Sequence, residues 1–170
     1  MFTISTVLLL PTTPTQFAGT SPSQLNVLLA QGDVEIATPG SGGYGIASGT
    51  TLVVPEGRTL FVSTVLNVRR DATLRIEGTL VILEGGRLNS DGHATSGTGR
   101  IVIAEGGRLI NRGYTEIAMR SVLTNNGAII NLGTTGNFGR FEVREGVKFA
   151  RGLVISTRTL TIHRLADITP

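Results

Sequence analysis

Apolar and polar residues alternate with period two in short runs along most of the chain, each three to five residues long. Thr51-Leu52-Val53-Val54, Thr59-Leu60-Phe61-Val62, Leu66-Asn67-Val68, Thr73-Leu74-Arg75-Ile76 and Thr79-Leu80-Val81-Ile82 follow one another closely. Arg100-Ile101-Val102-Ile103, Ala128-Ile129-Ile130-Asn131, Arg140-Phe141-Glu142-Val143 and Thr159-Leu160-Thr161-Ile162 continue the series. This period predicts strands with one buried face. Strands so short cannot sustain an open sheet, but stacked coil upon coil they pair with the coils above and below and line one continuous core.

The connections repeat as well. A heptad of apolar, any, acidic, Gly, any, any, apolar reads Val54-Pro55-Glu56-Gly57-Arg58-Thr59-Leu60, Ile82-Leu83-Glu84-Gly85-Gly86-Arg87-Leu88, Ile103-Ala104-Glu105-Gly106-Gly107-Arg108-Leu109 and Val143-Arg144-Glu145-Gly146-Val147-Lys148-Phe149. A weaker copy starts at Val68 and a polar one at Leu123, so the units start 14, 14, 21, 20 and 20 residues apart. A period near 20 with turn residues in every unit is the signature of a solenoid. Residues 50–165 are therefore expected to form an all-β domain, a small parallel β-helix (β-solenoid) of short irregular coils. An antiparallel sandwich also fits strands at this spacing, but it does not require the units to resemble one another.

In that picture Gly57, Gly85, Gly106 and Gly146 take the positive φ of a sharp corner, and the preceding carboxylate stays in water. If equivalent corners stack about 4.8 Å apart, successive carboxylates repel, and Arg87, Arg108 or Lys148 offsets that. The 14-residue steps suggest smaller or two-sided coils near the start. Two polar insertions, Asn89 to Gly99 and Asn131 to Gly139, read as loops leaving one side of the coil.

Residues 1–49 read as an arm. Phe2 to Val7 alternates like a strand, Pro11, Pro14 and Pro22 interrupt pairing, and a short helix is predicted over about 22–31. Ser21 would cap it, Gln24 complete a capping box, Leu25, Leu28 and Leu29 form its apolar stripe, and Gly32 end it. Asp33 to Ala37 follows as a brief strand, and the Gly-rich run from Pro39 to Gly45 as a hinge. Residues 166–170 form a tail.

The chain has 170 residues, 40% hydrophobic but only 5% aromatic, with 23 Gly and no Cys. That suits one domain of short strands and tight turns, and it excludes disulfides and thiolate zinc sites. Residues 1–57 hold three acids and no base, whereas residues 58–170 hold 15 bases and nine acids. Fourteen of the bases are Arg. Arg enrichment accompanies protein contacts, although codon bias explains it equally well. The bases alternate with acids and few aromatics are present, so nucleic acid is not an expected partner. No apolar run approaches the roughly 20 residues of a membrane span, and the N-terminus lacks a basic n-region, so neither a membrane segment nor a secretory signal is expected.

Candidate chemistry is sparse. Asp91 and His93 form the best polar pair, read here as an exposed loop and not a metal site; His163 reads as a surface residue. The acids lie at Gly turns and not on outward positions of neighbouring strands, which argues against polysaccharide cleavage. No calcium nonapeptide or phosphate loop is present, and the Thr ranks of an ice-binding face do not recur. No cofactor, metal or catalytic residue is expected.

The Val54-Pro55-Glu56-Gly57 and Ile-x-Glu-Gly-Gly-Arg-Leu units, with Leu123-Thr124-Asn125-Asn126-Gly127-Ala128-Ile129-Ile130-Asn131, make about two thirds of the chain resemble the β-helical decoration, head-fibre or tail accessory proteins of tailed bacteriophages. The resemblance implies a non-enzymatic virion protein, a trimer or other homo-oligomer, fixed to the major capsid protein or another virion protein. The arm, through Phe2, Ile4, Val7, Leu9 and Phe17, would make the attachment. The chain is also similar, less closely, to bactofilin-like filament subunits, which polymerise end to end. A small glycan-binding or polysaccharide-cleaving β-helix is the remaining alternative. The predicted helix, as a cover over one end of the solenoid, favours discrete oligomers.

Overall fold

The computed structural model describes residues 13–19, 21–37, 43–90, 98–117 and 121–132, and the backbone of the strands that follow them. After β1 (Thr15–Phe17) and α1 (Pro22–Gln31), the chain winds through coils of three strands each. The first coil is β2 (Val34–Ile36), β3 (Tyr44–Ile46) and β4 (Thr51–Val54); the second is β5 (Thr59–Val62), β6 (Val65–Val68) and β7 (Thr73–Ile76). Next come β8 (Thr79–Ile82), β9 (Arg87–Ser90) and β10 (Arg100–Ile103), then β11 (Arg108–Asn111), β12 (Tyr114–Ile117) and β13 (Val122–Asn125). The last strands are β14 (Ala128–Asn131), β15 (Arg140–Val143), β16 (Lys148–Phe149), β17 (Leu153–Ser156), β18 (Leu160–Ile162) and β19 (Asp167–Ile168).

Like strands of successive coils pair in parallel, giving sheet A (β1-β2-β5-β8-β11-β14-β17), sheet B (β3-β6-β9-β12-β15-β18) and sheet C (β4-β7-β10-β13). The fold is a β-solenoid of about five turns. Its core is a set of vertical stacks, such as Leu60-Leu80-Leu109-Ile129 in sheet A and Leu52-Leu74-Ile101-Leu123 in sheet C. Leu60, Leu80, Leu52 and Leu74 are fully buried. Burying each aliphatic side chain contributes roughly 1.5–3 kcal/mol, and identical neighbours along a stack let them pack at one spacing.

The structure corrects the reading of the 14-residue steps. The coils are three-sided throughout, and 14 residues carry the chain around two sides of a coil. The turn at residues 55–58 joins sheet C to sheet A, the one at 69–72 joins B to C, and the one at 83–86 joins A to B. Wide four-residue corners thus lie against two-residue corners of the next coil: residues 77–78 follow 55–58 at the corner between sheets C and A. The expected ladder of stacked carboxylates does not form, because Glu56 and Glu84 occupy different corners. Among the described residues, neither Arg87 nor Arg108 forms an ion pair; Arg87 instead lies 5.3 Å from the centre of the Tyr114 ring.

The corner glycines behave as their chemistry demands. Gly57, Gly85 and Gly106 have φ of 71°, 81° and 79°, the left-handed region in which a Cβ is strained. The glycine after such a corner has a different reason. A Cβ on Gly86 would collide with the Val62 carbonyl of the coil before it. Gly146 lies outside the described residues. Asp71 stands at the glycine position of the weaker Val68 unit with φ of 57°, a conformation that Asp tolerates better than most residues. Asn126-Gly127 in the polar unit forms a two-residue corner of the other type.

The segment expected as an arm enters the solenoid well before residue 50. β1 and β2 extend sheet A, and β3 begins sheet B inside the run read as a hinge. The reason is the inward pair Tyr44 and Ile46, both buried, which outweighs the flanking glycines. The helix spans Pro22–Gln31 as expected, with Leu25 and Leu29 buried beneath it. Its expected capping box is absent: Ser21 makes no side-chain cap bond and its hydroxyl lies 2.8 Å from that of Ser23.

Candidate functional site

Two features of the N-terminal end set the limits of what the molecule can do. The first is a cap. β4 is the last strand of sheet C, and its outer edge would present unpaired backbone groups to any further strand. α1 lies on this edge, and one side chain satisfies it: Asn26 Nδ2 donates to the Thr51 carbonyl at 3.2 Å, and the Val53 amide donates to Asn26 Oδ1 at 3.1 Å. A carboxamide carries the same donor and acceptor as a peptide group, so Asn26 stands in for the missing strand. Asp33 Oδ1 accepts from the Thr59 amide at 2.8 Å and secures the next corner.

The second feature is apolar. Phe17 and Tyr44 meet edge to face, 5.5 Å between ring centres, at the top of the core. Above them a cavity of about 520 Å³ opens between β1 and α1, lined by Phe17, Gly19, Ser23, Gln24, Val27 and Leu28. Val27 is 58% exposed, the one large apolar side chain so exposed among the described residues. Burial pushes the Tyr44 phenol up to about 12, and its hydroxyl has no hydrogen-bond partner among the described residues.

Of the expected contact residues, Phe17 is 4% exposed and belongs to the core. It packs edge to face on Tyr44 and lines the cavity beside α1. Phe2, Ile4, Val7, Leu9, Asp91 and His93 lie outside the described residues. The loops holding Asn89 to Gly99 and Asn131 to Gly139 leave different corners, the first between sheets B and C and the second between A and B. They do not share a side as the 20-residue register implied.

An acidic residue does occur on a strand face, contrary to the reading of the sequence. On the outward side of sheet B, Asn67, Asn89 and Glu116 occupy one register row. Asn89 Nδ2 donates to Asn67 Oδ1 at 3.1 Å, and the Tyr114 hydroxyl donates to Glu116 Oε2 at 3.1 Å. Repeating inward-apolar strands hid this row, because its members are 22 to 27 residues apart and the insertion at 91–97 breaks the period. Among the described residues no group of three His, Asp or Glu side chains could hold a metal ion, and no helix is long and apolar enough to cross a membrane.

Fold and surface together define a capped β-solenoid with one polar and one apolar end feature. Compared with family models, curated proteins and solved structures, the chain has no match.

Proposed function

We propose that this protein is a non-enzymatic structural component, a discrete capped solenoid that attaches to a larger assembly, most simply the capsid or tail surface of a virus particle. The observation that carries this reading is the Asn26 cap. A filament subunit needs apolar or hydrogen-bonding coil ends that accept the next copy. Here α1 covers one end and uses a side chain to saturate the β4 edge. The apolar residues Phe2, Ile4, Val7 and Leu9 supply the attachment in this reading, and the major capsid protein is the partner class. Homo-oligomers of defined size follow.

Electron microscopy of the purified protein tests the first half: particles of one size are expected, and long smooth filaments overturn it. Co-sedimentation with virions of the producing cell tests the second half. Full recovery in the soluble fraction in the presence of particles overturns the attachment.

One observation favours a second reading, binding of a glycan. Amide and carboxylate side chains beside Tyr114 on the outward face of sheet B are the groups that hydrogen-bond and stack on sugars. Glu116→Gln and Tyr114→Ala should then abolish retention on a polysaccharide column. Unchanged retention, or no retention of the parent chain on any glycan, removes this reading.

A further inference from the structure

We infer that the corner Asn126-Gly127 is a site of spontaneous covalent modification, deamidation of Asn126 to aspartate and isoaspartate, which the folded chain holds off through the side chain of Asn125. The chain contains one Asn-Gly dipeptide, and it stands at this corner. The reaction starts from the backbone. The Gly127 nitrogen gives up its proton and bonds to Asn126 Cγ, the Cγ–Nδ2 bond breaks, and Nδ2 leaves as ammonia with that proton. Water then opens the cyclic imide at either carbonyl and returns a proton to the nitrogen, so one water is taken up for each ammonia lost. Glycine as the second residue favours the attack, since no Cβ shields its nitrogen.

Contacts between coils explain why so labile a pair stands there. Among the described residues, the two-residue corners with glycine second are Glu77-Gly78, Arg112-Gly113 and Asn126-Gly127. At each, a Cβ on the glycine would collide with carbonyl oxygens of the coil before it: those of Pro55 and Arg58 for Gly78, Leu83 and Gly86 for Gly113, Ala104 and Gly107 for Gly127. Glycine is therefore fixed in the second position. The first position is not, because Glu77 and Arg112 occupy it equally well. Asn126 is exposed there, so water reaches its carboxamide and ammonia leaves freely.

The glycine amide of this corner has an unusual partner. The Gly78 N–H donates to the Val54 carbonyl at 2.9 Å, whereas the Gly127 N–H donates to Asn125 Oδ1 at 3.1 Å, the local turn that Asn makes with the amide two residues on. Asn125 is fully buried, so the core holds this acceptor in place. A hydrogen bond made by the neutral amide disfavours the ionised nitrogen that attacks. The flanking amides are tied as well, Asn126 to the Ile103 carbonyl at 2.8 Å and Ala128 to the Gly107 carbonyl at 3.0 Å. Turning the Gly127 nitrogen onto Cγ disturbs all three bonds, so the step waits for local opening of the corner. The product does not close it again. Isoaspartate makes the main chain one atom longer where the Ala104 and Gly107 carbonyls leave no room for a single added carbon. Modification thus runs one way and loosens β13 and β14.

Peptide-resolved mass spectrometry of the full chain, kept at mildly alkaline pH with and without urea, tests the proposal. Conversion of the Asn126 carboxamide to a carboxyl should be about tenfold or more slower in the folded chain than in urea. Asn125→Leu removes the acceptor while keeping the core filled, and it should speed conversion in the folded chain several-fold more than it speeds hydrogen exchange of the β14 amides. The isoaspartate fraction should exchange its β13 and β14 amides faster than the parent, with β5 unchanged. Equal rates with and without urea, or Asn125→Leu speeding conversion no more than exchange, overturn the guarding role of Asn125. No conversion at Asn126 in urea overturns the site itself, and parent-like exchange in the isoaspartate fraction overturns the loosening.

Discussion

Replacing Asn26 by alanine removes the side chain that stands in for a strand. The variant leaves the part-buried Val53 amide and the Thr51 carbonyl without their partner. Each net hydrogen bond contributes about 0.5–1.5 kcal/mol, and a donor left partly buried adds some desolvation cost. Alanine is the better helix former and returns about 0.6 kcal/mol in mid-helix. The balance is a loss of about 1–2 kcal/mol. For a chain of this length that lowers Tm by about 3–6 °C. Asn26→Asp separates the two bonds: it keeps the acceptor for Val53 but turns an oxygen toward the Thr51 carbonyl, so it should destabilise at least as much as alanine.

Thermal unfolding by circular dichroism reads the global effect, and hydrogen exchange at the Val53 amide reads the local one. Faster exchange at Val53 with little change in β8 is expected. An unchanged Tm together with unchanged protection of Val53 refutes the account of the cap. The same variant also probes assembly. If the saturated β4 edge is what stops end-to-end growth, Asn26→Ala should form short chains of solenoids in electron micrographs at high concentration, where the parent does not.

The remaining predictions concern corners, a phenol and a polar ladder. Gly85→Ala should cost about 1 kcal/mol through its positive φ alone, since the space around it is open; Gly86→Ala should cost more in urea unfolding, because its Cβ meets the Val62 carbonyl. Tyr44 has a folded pKa of about 12, raised by burial. Its neutral form is present in both states below the unfolded value near 10, so stability is lost as pH rises from there through the folded value. Tyr44→Phe should flatten that loss and keep or raise stability at pH 7, as read by Tm at pH 7 and at about pH 11. Asn111 Nδ2 donates to Asn131 Oδ1 at 3.1 Å inside the core; Asn131→Leu alone should destabilise by about 1–3 kcal/mol, and the double change to Leu by less than the sum of the single ones.

Strand after strand in the first coils was legible because inward Leu, Ile and Val alternate with Thr, as in Thr59–Val62 and Thr79–Ile82. β9, β11, β12 and β13 were not, and the cause is physical. Each carries a buried polar residue at an inward position, Ser90, Asn111, Thr115 and Asn125, which weakens the apolar alternation without breaking the strand; β14 stayed legible despite its own inward Asn131 because Ile129 and Ile130 precede it. β3 was hidden by glycines on both sides of Tyr44. The Glu-Gly heptad revealed its turn conformation, but not which corner it occupies, since that depends on counting sides of a coil. The cap and the outward rows left no local trace. Asn26 meets Val53 across 27 residues, and Leu80 and Leu109 stack across 29, so only the register brings these groups together.

The buried polar residues also divide the core unequally. Every inward strand position of the first two coils is apolar, from Val34 and Ile36 through Leu74 and Ile76. From Ser90 onward, Asn111, Thr115, Asn125 and Asn131 replace aliphatic residues in the stacks. Each such exchange forgoes roughly 1.5–3 kcal/mol of apolar burial and returns only the smaller net worth of a hydrogen bond. In a solenoid, stability is close to a sum over coils and their interfaces, so this difference is local and not averaged over the chain. The capped end should therefore hold its structure longest, and opening should begin in the later coils. Hydrogen exchange gives the test: amides of β5 and β8 should exchange at least tenfold more slowly than those of β13 and β14. Equal protection across these four strands would show that the polar ladders, Asn111 to Asn131 above all, stabilise as much as the aliphatic stacks they replace.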